Sequence, residues 1–195
     1  MMQQLSDIEV MLEYQKGNGS AMDELLRRYK HPVFSFCYRL LGNTHQAQDA
    51  AQEVFLKIHI HREGYVPQGK FTTWTFAIAH NICISLVRKR KWLAPWPRQK
   101  DQDDCLAELP DDSPSPEAEA HKREMQSHVQ RCVNGLPFLQ KEALILREYH
   151  SLSYEEIAAT MHRPVNSVKS LVHRARMEIK EKLLPVLNEA ERGQK

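Results

Sequence analysis

Along most of this chain the apolar residues return every three or four positions and almost nowhere every second one. Over residues 45–61, Ala47, Ala51, Val54, Phe55 and Ile58 share one side when positions are stepped at about 100° per residue. The pattern predicts a helix with one buried stripe. The rest of the N-terminal half reads the same way. Ser6-Asp7 opens a first helix and KGNGS, Lys16 to Ser20, closes it. A second runs from about Ala21 through LLRRYK and HPVFSFCYRLLG to a stop at Gly42, with Pro32 as a kink or restart. The third begins after Asn43, with Thr44 as the expected N-cap, and reaches about Arg62. EGYVPQGK reads as a loop, and a fourth helix runs from about Phe71 to Lys91, with Phe71, Trp74 and Ile78 at core spacing.

The C-terminal half predicts helices over about 117–133 and 137–149, the latter with Pro137 in its first turn. Then SYEEIAATMHRPVNSVKSLVHRARMEI, Ser153 to Ile179, sets two short amphipathic patterns around a proline. Ser153 and Glu156 have the spacing of a capping box. That helix ends at Met161, His162-Arg163-Pro164 breaks it, and another begins near Ser167. Two helices with a tight turn between them have the form of a helix-turn-helix. Between the halves, DQDDCLAELPDDSPSPEAE holds eight acidic residues and no Lys or Arg. So little apolar surface cannot offset the entropy of ordering, which predicts a linker. The basic run RKRKWLAPWPRQK precedes it. The expected architecture is all-α: a helical domain over 1–95, a flexible acidic linker over 96–117, and a second helical domain over 118–190.

Composition changes this picture little. The chain is 42% hydrophobic and 27% charged, which excludes disorder throughout, and its net charge of +2 is too small to indicate nucleic acid by itself. The four cysteines include no Cys-x-x-Cys. They read as reduced thiols, three of them partly buried, rather than a disulfide framework or a zinc site. MMQQLSDIEV has no basic start or apolar core, and no apolar run is long enough to span a bilayer. A cytoplasmic location is expected.

Where the charge sits is more informative. On the last helix, Val168, Leu171, Val172, Ala175 and Ile179 form the stripe to be buried. Asn166, Ser170, His173, Arg174 and Met177 fall opposite, flanked by Lys169 and Lys180. Such a face fits the DNA major groove, where Asn, Ser and Arg reach base edges and Lys meets phosphate. A merely solvated face is the alternative. On the third helix the outward side carries Asp49, Gln52 and Glu53 beside Leu56 and Ile60. Acids next to exposed aliphatics suit a protein partner, unless Leu56 and Ile60 touch the first helix instead. Tyr65 in the loop, Lys70 at the helix entrance, Asn81, and the run Arg88 to Lys91 combine aromatic and basic groups that suit unstacked single-stranded bases. Packing is the ordinary explanation for the aromatic stripe, and Trp74 is assigned mainly to it.

Catalysis has little to stand on. His59 and His61, two apart on a helix, cannot readily share an ion, and His150 and His162 lack a supporting cluster. Asp49 and Glu53 have no nucleophile or histidine placed with them, and no Gly-rich phosphate loop appears. No catalytic residue, metal or cofactor is expected.

SYEEIAATMHRPVNSVKSLVHRAR resembles the helix-turn-helix of bacterial sigma factor region 4. AQDAAQEVF, Ala47 to Phe55, resembles the region 2 helix that grips RNA polymerase, and FTTWTFAIAHNICISLVRKRK the promoter-melting helix after it. Their order is similar to that of the extracytoplasmic function (ECF) group of the sigma-70 family. The resemblance implies a transcription initiation factor rather than an enzyme. It implies upstream (−35) recognition by Asn166, Ser167, Lys169, Ser170, His173 and Arg174. Melted (−10) DNA would meet Tyr65, Lys70, Phe71, Asn81, Arg88 and Arg90, with Tyr65 and Asn81 at the places that capture a flipped base. Asp49, Gln52, Glu53, Leu56 and Ile60 would bind core RNA polymerase at its β′ coiled coil, with the β flap as a further contact. Promoter DNA and an anti-sigma factor complete the implied partners. Asn166-Ser167, Leu171, His162, His80 and Ser85 depart from the family's frequent residues there, Gly being common where His162 stands. Two other classes remain open on the residues alone: a dimeric helix-turn-helix regulator with a ligand-sensing N-terminal domain, and an enzyme using the histidines or the acidic pair. The free protein's two domains would cover their own DNA surfaces, or an anti-sigma factor would. The acidic linker would imitate nucleic acid in a basic polymerase channel, or act as a solubilising spacer.

Overall fold

A computed structural model describes residues 4–93 and 116–192, with side chains described for 4–90 and 125–185. The expected linker core and Cys105 lie outside the described residues. Among those described there are α-helices and short turns but no strand: α1 Asp7–Gln15, α2 Gly19–Leu41, α3 Thr44–His61, α4 Phe71–Leu93, α5 Pro116–Asn134, α6 Phe138–Glu148, α7 Tyr154–Met161 and α8 Val165–Arg192.

Local chemistry sets the ends. Ser6 caps α1 in a full capping box: Glu9 N–H donates to Ser6 Oγ at 3.3 Å and Ser6 N–H to Glu9 Oε2 at 2.7 Å. These bonds lower the Glu9 pKa, the backbone bond from Ser6 most. Gly42 ends α2 in the left-handed region at φ 70°, where its N–H reaches the Tyr38 carbonyl at 2.8 Å. The cap of α3 is Asn43 and not Thr44, because Asn43 Oδ1 accepts from Gln46 N–H at 2.9 Å and Thr44 is already helical. Pro32 neither breaks nor restarts α2. Burial of Val33, Phe36 and Cys37 just beyond it outweighs the roughly 3 kcal/mol that an interior proline costs. α8 begins at Val165, earlier than Ser167, because the Pro164 carbonyl accepts from Ser167 and Val168 N–H and starts the ladder there.

α2 and α3 form an antiparallel hairpin, with α4 laid against both and α1 against α2. Met11, Leu25, Val33, Phe36, Val54, Ile58, Phe71 and Phe76 fill the space between them. Cys37 of α2 and Cys83 of α4, distant in sequence, are neighbours in this core, and Cys132 is half-buried. The hydrogen bond from Cys37 and burial push the Cys83 thiol up, which makes it inert. In the second bundle, α6, α7 and α8 bury Ile145, Leu146, Ile157, Val168, Val172 and Ala175, and α5 packs on α8. Arg176 Nη2 on α8 binds Glu148 Oε1 on α6 at 2.5 Å. The turn between α7 and α8 holds His162 at φ 51°, a corner that costs a non-glycine residue about 1–2 kcal/mol. The two bundles meet through α4 on α7 and α2 on α6.

Ser153 closes the same reciprocal box at α7, with Glu156 N–H on its Oγ at 3.1 Å and Ser153 N–H on Glu156 Oε2 at 2.7 Å. Ser153→Ala is expected to lower stability by about 0.5–2 kcal/mol, read as a shift of the urea midpoint at constant slope. An unmoved midpoint would mean that tertiary packing alone fixes the start of this helix.

Candidate nucleic-acid interface

The face of α8 emerges by subtraction. Val168, Val172 and Ala175 are buried, and Leu171 and Ile179 are half-buried. What remains outside is Asn166, Lys169, Ser170, His173, Arg174 and Met177, all exposed, with Ser167 half-buried beside them. Ser170 Oγ donates to the Asn166 carbonyl at 3.0 Å, which fixes its rotamer on the outer face. Lys169 Nζ stands 5.8 Å from the Tyr154 ring centre, within cation–π reach of α7. Six predicted upstream-element residues therefore lie together on the first turns of one helix.

α3 behaves likewise. Ala47, Ala50, Ala51, Val54, Phe55 and Ile58 are buried, and Asp49, Gln52, Glu53, Leu56 and Ile60 are exposed. Leu56 and Ile60 are 55% and 56% accessible, so they are not spent on α1. Their neighbour His59 is used structurally: its Nδ1 hydrogen-bonds the Tyr14 hydroxyl at 2.5 Å.

The third group is divided. Asn81, Arg88 and Arg90 are exposed along α4. Lys70 is exposed too, but its Nζ is 2.7 Å from Glu156 Oε1 on α7. Tyr65 and Phe71 are buried. The Tyr65 ring packs 4.9 Å from Trp74 and 6.0 Å from Phe71, centre to centre, and its hydroxyl oxygen is buried without a hydrogen-bond partner. Gln15 Nε2 pins this loop by donating to the carbonyls of Glu63 and Tyr65 at 2.8 and 3.2 Å. Burial pushes the Tyr65 hydroxyl pKa up, so it is present as a donor. Trp74 is half-buried within the same cluster, in its expected structural place.

Charge inside the first bundle is fixed by hydrogen bonding. Arg27 and Arg28 hold the Glu24 carboxyl down at about 2. Arg28 also reaches Asp7 Oδ1 at 2.7 Å, and Tyr29 donates to Asp7 Oδ2 at 2.5 Å, tying α1 to α2.

Reading the sequence missed a set of buried polar groups where the bundles meet. His80 Nδ1 on α4 lies 2.5 Å from Glu142 Oε1 on α6, and both residues are buried. Lys141 Nζ reaches the Leu40 carbonyl at 3.5 Å, and burial lowers its pKa to about 8. A signal was present. In FLQKEALILRE the residues three and four positions on from Lys141 and Glu142 are Leu144, Ile145 and Leu146, so both charges share the helix face that buries those residues.

Among the described residues, no group of three or more His, Cys, Asp or Glu is placed to hold a metal ion, and no helix is long and apolar enough to cross a membrane. Family descriptions match in two places: sigma-70 region 2 over residues 25–93 and sigma-70 region 4 over residues 128–179. The chain is 32% identical over 199 positions to the RNA polymerase sigma-H factor of Pseudomonas aeruginosa, covering 97% of this chain and 100% of that one. It is 29% identical over 174 positions to the ECF RNA polymerase sigma factor SigW of Bacillus subtilis, covering 88% and 93%. Two solved structures share the fold. CnrH, in complex with the cytosolic domain of CnrY, superposes with a TM-score of 0.65 at 20% identity over 91% of this chain and 96% of that one. The sigma factor RpoE, in complex with the anti-sigma factor NepR from Bartonella quintana, gives 0.64 at 24% identity over 83% and 95%.

Lys141 provides a test of the buried charge. Its folded pKa, about 8, lies below its ordinary 10.5, so the native state is penalised wherever the amine is protonated. The penalty is complete below about pH 8 and fades as pH rises to 10.5. Lys141→Met is expected to stabilise the protein by about 1–3 kcal/mol near neutrality, with a gain that shrinks across that window in denaturant titrations. A gain independent of pH would assign the effect to packing.

Proposed function

This chain belongs to the ECF group of the sigma-70 family, whose members direct transcription initiation, and on that premise we propose a division of promoter recognition between its two helical bundles. The second bundle, matched by region 4, reads the −35 duplex with Asn166, Ser167, Lys169, Ser170, His173 and Arg174. Arg174 and Asn166 address base edges, and Lys169 addresses phosphate. The first bundle, matched by region 2, receives the melted −10 strand along Lys70, Asn81, Arg88 and Arg90. Tyr65 and Phe71 form the aromatic wall beside it, and the Tyr65 hydroxyl supplies a donor. Flipping a base costs a few kcal/mol, which stacking and hydrogen bonds in this pocket must return. Asp49, Gln52, Glu53, Leu56 and Ile60 bind core RNA polymerase at the β′ coiled coil, while the second bundle meets the β flap. An anti-sigma factor is the expected regulator, and the cytoplasm the expected compartment. The linker, 96–117, joins the domains 1–95 and 118–190 on polymerase.

The observation that carries this reading is the exposed, polar-to-basic face of α8, set behind a capped helix with Ile157, Ala158 and Met161 buried and a tight turn. The decisive experiment mixes the pure protein with core polymerase and a promoter library and sequences the transcripts. Promoter-dependent starts support the reading. Operator binding by the protein alone, with no new starts, would overturn it.

Two variants sharpen the assignments. Arg174→Ala is expected to weaken holoenzyme binding to −35 duplex DNA by about 1–3 kcal/mol if Arg174 makes a bidentate base contact, measured by fluorescence anisotropy. Asn81→Ala is expected to leave that affinity unchanged and to reduce strand opening, scored by permanganate reactivity of unpaired thymines. Unchanged opening by Asn81→Ala, or unchanged duplex affinity by Arg174→Ala, would remove that residue from the interface.

A further inference from the structure

Region 4 is docked on region 2 in this structure through α4 on α7 and α2 on α6, and the junction holds several polar and charged groups. Lys70 pairs with Glu156, His80 with Glu142, and Lys141 with the Leu40 carbonyl. The Arg39 guanidinium sits 3.6 Å over the Tyr149 ring. Beside it, the His150 ring enters an aromatic slot, 5.9 Å from Phe36 of α2 and 4.4 Å from Phe76 of α4. Both phenylalanines are fully buried. The His150 Nε2 atom is buried as well and has no hydrogen-bond partner.

We propose that this slot is a proton-released latch: His150 seats only as neutral imidazole, and protonation frees region 4 from region 2. An unpartnered ring nitrogen between two phenyl rings has nothing to receive the second N–H of an imidazolium. The surrounding charges do not help. From α2, Arg39 repels a proton on His150, and Arg28 lines the adjoining cleft of about 440 Å³. Asp7 of α1 lines that cleft, but Arg28 and Tyr29 already occupy its oxygens. α4 contributes Phe76 and Thr72 to the cleft, and the histidine's own turn contributes Tyr149 and Ser151. Elsewhere in the junction the titratable groups are Lys70, His80, Lys141, Glu142, Glu156 and His162, the last with its ring 6.4 Å from that of His80.

The sign follows from linkage. Burial, reinforced by Arg39, lowers the docked His150 from its ordinary 6.5 to about 4. Undocked and solvated, it returns to the ordinary value, so the open form binds the proton more tightly. The open-to-closed ratio therefore rises by up to tenfold for each pH unit below 6.5 and levels off near pH 4. The total is about 300-fold. The functional meaning rests on the promoter reading above: docking holds α7 of region 4 against α4 and engages Lys70, so opening returns that helix to DNA.

The test uses the full chain without polymerase or DNA. Small-angle scattering gives the radius of gyration, and far-UV circular dichroism gives helix content, at about pH 7.5 and about pH 5. Wild type is expected to be compact at the higher pH and expanded at the lower, with helix retained. His150→Phe fills the slot with a ring that takes no proton and is expected to stay compact at both. His150→Gln, also uncharged, makes the same comparison should a phenyl ring fit poorly. The idea fails if wild type has one size at both pH values, if its expansion accompanies loss of helix, or if a variant compact at the higher pH expands at the lower as wild type does. It fails too if both variants are already expanded at the higher pH. Failure here leaves the DNA assignments standing, and failure of the transcript assay leaves this result standing.

Discussion

Each helix of this chain has a limited apolar stripe to hide from water, and the hydrophobic effect decides which way the helix turns. A buried Val or Leu side chain contributes about 1.5–3 kcal/mol. No single surface charge competes with Val168, Val172 and Ala175 buried together on α8. Once those three face inward, Asn166, Ser170, His173 and Arg174 have only the outside left. The same constraint on α3 turns Leu56 and Ile60 outward beside Asp49 and Glu53. The exposed faces of α8 and α3 are what the packing problem leaves over, presented on elements anchored by their buried stripes.

Where the two bundles meet, the constraint is different. Glu142 and His80 are both buried, and a buried charge or polar group persists only with a partner. Each therefore depends on the other bundle's presence. An apolar seam would hold more strongly and less conditionally. A polar seam ties docking to the state of its protons and hydrogen bonds, so the closeness of the two bundles depends on conditions that an apolar seam would ignore.

Periodicity made the helices legible, and with them the stripes of α3 and α8, and residue spacing gave the capping box at Ser153. It could say less where a choice was local or tertiary. Asn43 and Thr44 are both good caps, and only the bond to Gln46 separates them. Pro32 reads as a kink or restart, yet the packed turns around it carry the helix through. Tyr65 reads as a loop aromatic suited to an unstacked base. Trp74 and Phe71 draw it inward, and no spacing rule reports that a ring has neighbours on both sides. The junction was the least legible feature. His80 and Glu142 are 62 residues apart, and nothing in either neighbourhood names the other.

His162 joins these themes at a single backbone position. It stands where the turn between α7 and α8 enters the left-handed region, and its ring also faces His80 on α4. Glycine would suit the backbone there and offer the other bundle nothing. By keeping a side chain at an unfavourable corner, the protein gives up some stability in this turn so that the bend itself can touch α4. His162 thus ties the bend between α7 and α8 to one of the several contacts that join the two halves, so a change at this position is felt in both.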